Sequence, residues 1–264
     1  MQTLQPHWRA LGSTGLQVSP LGLGTVKLGR NQGVKYPNGF ELPDDRSASA
    51  LLAQARELGI NLLDTAPAYG SSEERLGQLL AGQRQHWVLC SKVGEEFDGQ
   101  HSHFDFSAAH TRRSVERSLQ RLRTDYLDLV LVHSSGDDLV VLDQEVCTTL
   151  QHLREEGLIR AWGFSGKTVE GGIRALQQAD CAMVTYNLQQ RDELPVLDFA
   201  LSQGKGILIK KAFASGHLPG SDPATAVVDS LRLVLGHPAV ASAIVGTINP
   251  RHLQDNVTAA LQVL

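Results

Sequence analysis

Four polar residues lie at or just past the ends of three apolar runs, and their types suit proton transfer. Asp64 and Tyr69 fall in the stretch 60–70, Lys92 closes the run 87–92, and His133 closes the run 127–133. A tyrosine hydroxyl ordinarily titrates near 10, too high for easy proton donation and recovery at neutral pH. A lysine ammonium beside it favours the phenolate and lowers that value. A carboxylate such as Asp64 would keep the lysine charged and in place, and a histidine could orient a carbonyl oxygen. Together the four suit giving a proton to an oxygen that is gaining negative charge. Each also has an ordinary reading alone. Asp64 before Thr-Ala-Pro is a turn former, Tyr69 is a partly buried loop residue, Lys92 snorkels to solvent and His133 is a satisfied core histidine. Their joint placement at consecutive strand ends favours the chemical reading.

The elements that would position them are legible as a pattern. Short runs rich in Val, Ile and Leu occur at 21–25, 60–64, 87–92, 127–133, 160–165, 182–186, 206–210 and 240–245. Most are too apolar to alternate, as expected of strands covered on both faces in a parallel sheet. Helix-like segments follow at 46–58, 73–81, 107–122, 144–156, 169–179, 193–203, 223–236 and 250–261. Several carry start signals, among them Asp44, Ser107 and Asn249-Pro250. Eight strand-then-helix units in one chain of 264 residues predict a (β/α)₈ barrel occupying the whole of 1–264 as one domain. The stretch 11–19 reads as a hairpin that plugs the bottom of the barrel. Gly22-Leu-Gly24 lacks the third glycine of a dinucleotide-binding fingerprint. The irregular stretch 29–43 is a candidate loop over the site.

The formal net charge of −4 and the lack of a basic run argue against a nucleic-acid partner. Neither a secretory leader nor an apolar stretch of 18 residues is present, so no membrane partner is expected and a cytoplasmic location is. Cys90, Cys147 and Cys181 sit in apolar surroundings without metal-type spacing and read as buried free thiols.

Three weaker signals have ordinary readings. Residues 161–168, Ala-Trp-Gly-Phe-Ser-Gly-Lys-Thr, look like a phosphate-binding loop, but Ala161 stands where its first glycine belongs. His101, His103, Asp98 and Asp105 lack a convincing third ligand for a metal, and no metal site is expected. Phe97, Phe104 and Phe106 either line an apolar pocket or anchor a loop. Phe106 precedes the helix cap Ser107 and reads as an anchor.

Six phrases taken in order closely resemble the aldo-keto reductase family: residues 11–19, 63–70, 72–77, 91–94, 118–129 and 157–165. The resemblance spans nearly the whole chain. It implies a (β/α)₈ barrel that binds NADP(H) at its C-terminal mouth, with NAD(H) as the alternative. It further implies reduction of a small aldehyde or ketone to an alcohol, or the reverse. By motif, Tyr69 matches the general acid, Lys92 and Asp64 its partners, and His133 the residue that orients the carbonyl. A second reading on the same barrel is a nucleotide-binding redox sensor or regulatory subunit with little turnover.

The coenzyme side departs from the family pattern. Ser165-Gly166 stands where Ser-Asn is usual, Met183 where a glutamine is, and Lys210-Lys211 where an aromatic residue commonly stacks on the nicotinamide. In the last unit Asn256 matches the adenine contact and Asp255 its acidic neighbour. His252 takes the place of an arginine for the 2′-phosphate, and Gly246 that of a lysine. The resemblance also places Gly24, Thr25, Phe213, Ser215, Gly216, Thr247 and Arg251 among the coenzyme contacts. Arg251 and His252 begin a helix, where the macrodipole disfavours cations unless an anion is bound.

Overall fold

The computed structural model describes residues 2–34, 39–217 and 222–264. Eight parallel strands close into a barrel: β1 Leu21–Gly24, β2 Leu62–Asp64, β3 Val88–Val93, β4 Leu127–His133, β5 Ile159–Ser165, β6 Cys181–Thr185, β7 Gly206–Lys210 and β8 Val240–Val245. Each pairs with its sequence neighbours, and β8 pairs with β1. The principal helices are α1 Asp45–Glu57, α2 Ser72–Leu79, α3 Ala108–Leu122, α4 Val146–Glu155, α5 Val169–Leu176, α6 Leu194–Ser202, α7 Pro223–Leu235 and α8 Pro250–Leu261. The (β/α)₈ expectation holds, with every predicted strand and helix present and ends displaced by a few residues at most.

The strands are buried on both faces because each serves two cores. Outward side chains such as Leu63, Leu89 and Val130 pack under the helices. Inward ones, including Leu62, Cys90, Leu129, Met183 and Leu208, fill the barrel interior. Arg9–Ala10 and Gln17–Val18 form the N-terminal hairpin, and its Leu11, Leu16 and Val18 join the interior cluster. The hairpin thus closes the barrel from below, with Gly12 against the backbone that leads into β7.

Side-chain caps set several helix starts. Asp44 accepts from the Ser47 amide, Ser107 from His110, Thr168 from Gly171, and Asn249 from Arg251 and His252. Each such cap contributes about 1 kcal/mol. All three cysteines are buried free thiols. Short pieces that the sequence reading did not foresee include the helical turn Val26–Gly29, the short helix Asp138–Leu142, and a small hairpin of Glu95–Phe97 with Ser102–Phe104. Of the loop expected over the site, residues 35–38 lie outside the described residues. No helix among the described residues is long and apolar enough to cross a membrane.

Candidate active site

The barrel register brings the polar strand ends to one rim. Gly24 pairs with Asp64, Lys92 with Leu131, His133 with Ser165, Ser165 with Met183, and Thr185 with Lys210. In this fold, the carboxyl ends of the strands are where chemistry is built.

Asp64 ends β2 and Lys92 stands one residue before the end of β3. Lys92 Nζ donates to Asp64 Oδ1 at 2.5 Å and to the Thr65 carbonyl at 2.8 Å. Both side chains are almost fully buried, at 2 % and 5 % exposure. Burial alone would drive the ammonium toward neutrality. The Asp64 carboxylate, helped by Tyr69 and Cys90, outweighs it and holds Lys92 above its ordinary value. Two of the three ammonium protons are therefore spent, and the group lies 4.8 Å from the centre of the Tyr69 ring.

Tyr69 ends a 3₁₀ turn, Pro67–Tyr69, directly after β2. Gly70 follows at φ +61°, and a Cβ there would lie 2.2 Å from the Gly29 carbonyl oxygen. Only glycine fits so close an approach. Behind the turn, Thr65 and Ser72 join Thr25 in a buried hydroxyl network, and the Thr25 hydroxyl donates to the Asp64 carbonyl. Arg30 donates to the Ala68 carbonyl at 2.9 Å and lies flat over the Phe97 ring at 3.4 Å. Phe97 therefore braces Arg30, while Phe106 is buried in the core and Phe104 is exposed.

His133 ends β4, and its Nδ1 lies 2.8 Å from Glu95 Oε2. The pair has the length of a hydrogen bond but not its alignment, and Nδ1 is closed to water. Gly94, at φ +103° and against the Phe106 ring, turns the chain out of β3 so that Glu95 faces the histidine. Ser102 donates to the other Glu95 oxygen at 2.6 Å. Burial raises the Glu95 carboxyl, but His133, Ser102 and Arg30 together outweigh it and bring it down to about 2. Burial lowers His133, with Glu95 opposing and Lys92 and Lys210 adding to the fall.

The model of the aldo/keto reductase family matches residues 20–230. The chain belongs to that family. It is 33 % identical to L-galactose dehydrogenase of Arabidopsis thaliana, over 81 % of this chain and 68 % of that protein. A crystal structure of an aldo-keto reductase from Pseudomonas aeruginosa is 60 % identical and covers 99 % of this chain and 97 % of its own, with a TM-score of 0.91. The holo form of an aldo-keto reductase from Bacillus halodurans is 26 % identical with a TM-score of 0.81, covering 96 % of this chain and 90 % of that one. The chain is thus an oxidoreductase of aldo/keto reductase type.

The residues that the family pattern assigns to the coenzyme divide into those that face the mouth and those that do not. Lys210 reaches across the rim, donating to Ser165 Oγ at 3.1 Å and to the Gly166 carbonyl at 2.6 Å. Burial lowers its ammonium to about 8, with Lys211 and Lys167 acting the same way and Glu193 and Asp138 opposing. Glu193 is a second buried carboxylate here. One oxygen accepts from the Thr185 amide, the other has no partner, and burial raises its carboxyl. Lys211 is exposed, at φ +56°. Met183 is sealed in the barrel interior, and Thr25 is fully buried behind Asp64 with Gly24. Thr25 and Met183 therefore lie under the mouth rather than in its opening.

Phe213, Ser215 and Gly216 lie on a turn after β7 in which Ala214, Ser215 and Gly216 all have positive φ. The two non-glycine residues each store about 1–3 kcal/mol of strain. After β8, Gly246 and Thr247 lead into α8, and the Thr247 hydroxyl accepts from the Asn249 amide. Arg251, His252 and Asp255 are exposed in the first turns, and Asn256 is buried at 8 % exposure. Asn249 already occupies the first free amides of α8, so the cations there do not face bare helix dipoles.

The two competing signals find structural explanations. Asp138 accepts from the Lys167 amide, the Thr168 amide and the Thr168 hydroxyl, each at 2.8 Å, so these groups of the 161–168 loop are already committed. Asp98 accepts from the Gln100 and His101 amides and pairs with His103 at 2.8 Å, which makes it the centre of a hairpin turn. Three participants were missed by sequence reasoning: Glu95, Arg30 and Glu193. Glu95 had one usable signal, its place two residues beyond Val93 on the catalytic side of a strand.

Proposed function

We propose that the protein interconverts a small carbonyl compound and its alcohol with NADP(H), Tyr69 acting as the proton donor and acceptor. The observation that carries this reading is the buried Asp64–Lys92 pair set against the Tyr69 ring at a strand-end rim that also holds His133. A positive charge held beside the tyrosine favours negative charge on its oxygen, and so eases release and recovery of the proton. Asp64 keeps that charge in place. His133 orients the substrate oxygen beside Tyr69. The bound nicotinamide supplies or receives the hydride at the carbon of the same bond. Relatives that include a sugar dehydrogenase support a hydroxylated substrate class.

The chain's own donors suit a dinucleotide. Asn256, at 8 % exposure on α8, stands where the resemblance puts the adenine contact. Exposed Arg251 and His252 beside it favour the phosphorylated coenzyme, NADP(H), over NAD(H). Ser165, Gly166 and Lys210 would hold the nicotinamide end. There, Lys210 now occupies the Ser165 hydroxyl and the Gly166 carbonyl, which supports the second reading of a coenzyme-binding sensor with little turnover.

One experiment separates the readings. NADPH and NADH oxidation is followed with 4-nitrobenzaldehyde, beside coenzyme titration by fluorescence, in the wild type and in Tyr69→Phe. Turnover that prefers NADPH and is lost in the variant, with coenzyme affinity kept, supports the enzyme. Coenzyme binding without turnover in the wild type supports the sensor. Wild-type turnover in Tyr69→Phe removes the role assigned to Tyr69.

A further inference from the structure

His133 faces a charged partner that the sequence did not announce. A bare ring nitrogen and a carboxylate oxygen repel each other at hydrogen-bond distance, so a 2.8 Å approach requires a proton between Nδ1 and Glu95 Oε2. The carboxylate cannot easily move away. Ser102 donates to its other oxygen, and Gly94 fixes the turn that presents it. Nδ1 is closed to water while the side chain stays 22 % exposed, so the open edge of the ring is the one that carries Nε2. Neutral imidazole holds a single proton, and the nitrogen opposite its donor is an acceptor.

We propose that Glu95 is a positioning residue that pins the proton of neutral His133 on Nδ1, so that the ring meets the substrate through a bare Nε2 and donates to a carbonyl oxygen only when doubly protonated. The inference rests on the carbonyl–alcohol reading and adds a proton requirement to it. In reduction, the hydride forms the new C–H bond, Tyr69 gives its proton to the oxygen, and doubly protonated His133 holds that oxygen without losing a proton. In oxidation the one O–H proton of the alcohol goes to deprotonated Tyr69 as the hydride leaves the carbon for the oxidised coenzyme, so that proton is not shared with neutral His133. The charged groups around the ring are Glu95 with Arg30 behind it on the hairpin side, Lys92 with Asp64 and Tyr69 from β3 and β2, and Lys210 from β7. Glu95 favours the second proton, whereas burial and the two lysines oppose it.

The test is nitrogen-15 NMR of the His133 ring across pH, with kcat/KM for 4-nitrobenzaldehyde reduction over the same range. Wild type, Glu95→Gln and Glu95→Ala are compared. The expected wild-type ring is protonated on Nδ1 when neutral, and kcat/KM falls about tenfold per pH unit above the ring's own midpoint. Glu95→Gln keeps an acceptor without the charge, so the Nδ1 proton stays and both midpoints move together to lower pH. Glu95→Ala frees the ring to carry its proton on Nε2, and the fall at the histidine midpoint disappears. An Nε2-protonated neutral ring in the wild type overturns the proposal, as does a Glu95→Ala pH profile that superimposes on the wild type. The NMR result needs no turnover. Absence of wild-type activity would therefore count against the redox reading alone, and the tautomer would still judge Glu95.

Discussion

Each end of the barrel buries an ion-paired aspartate, and the two differ in what their partners have left to give. Asp128, near the start of β4, accepts from the Leu89 amide at 2.9 Å, from Arg84 at 2.8 Å and from Arg160 at 3.0 Å. Both guanidinium groups also lie over the Tyr126 ring, at 4.3 and 4.1 Å. Arg84 further donates to the Trp87 and Tyr126 carbonyls. The carboxylate there is enclosed by its donors, and the cluster clamps strands together. Asp64, at the end of β2, has one lysine, and that lysine still bears on a tyrosine at the rim. The Asp128 carboxylate is saturated by its donors in a cluster suited to holding strands together, whereas the Asp64–Lys92 pair also bears on Tyr69, the arrangement expected of a reactive site. The fold makes the same division, with stability at the lower face and reactions at the upper.

The contrast makes graded predictions. The largest effect is expected for Tyr69→Phe, which should lower turnover by roughly 10²–10⁴-fold and leave the thermal midpoint near the wild-type value in parallel melts. Asp128→Asn should do the opposite. It leaves buried donors short of a partner, so urea unfolding should show a loss of roughly 3 kcal/mol while turnover per folded molecule is retained. A drop in turnover without a loss of stability would erase the distinction between the two ends. Lys210→Met is expected to weaken binding of NADPH, or of an acidic substrate, by about tenfold. Unchanged titrations of both would make Lys210 a structural bridge between β5 and β7.

The smallest effect concerns acid stability. Glu95 titrates at about 2 in the folded protein, below an ordinary carboxyl. Its contribution is therefore fully present above the ordinary carboxylate range and is lost as the pH falls from there toward 2. In acid titrations the wild type should lose stability across that window more steeply than Glu95→Gln. Equal slopes would show that the Glu95–His133 contact contributes nothing to the fold.

Much of this was legible because it was periodic or local. Runs too apolar to alternate marked Leu127–His133 as a strand covered on both faces, and Asn249-Pro250 marked the start of α8. Asp64, Lys92 and His133 were visible because a strand end is a position that a sequence can show. Glu95 was not, since its meaning depends on Gly94 turning the chain back over β4, a tertiary event with no periodic signature. The resemblance puts Thr25 among the coenzyme contacts, yet its side chain is fully buried and its hydroxyl donates to the Asp64 carbonyl. Lys210 and Glu193 share one environment although α6 and most of β7 separate them in sequence; the parallel pairing of β6 with β7 sets Lys210 beside Thr185, whose amide donates to Glu193.

The most direct measurement is the fate of deuterium from NADPH carrying deuterium in both C4 positions, incubated with the protein and 4-nitrobenzaldehyde. Direct hydride transfer at the rim predicts 4-nitrobenzyl alcohol with one carbon-bound deuterium in the wild type, and roughly 10²–10⁴-fold less of it in the same time from Tyr69→Phe. Alcohol without deuterium, or equal labelled product from both proteins, would contradict a reaction built on Tyr69 and its Asp64–Lys92 support.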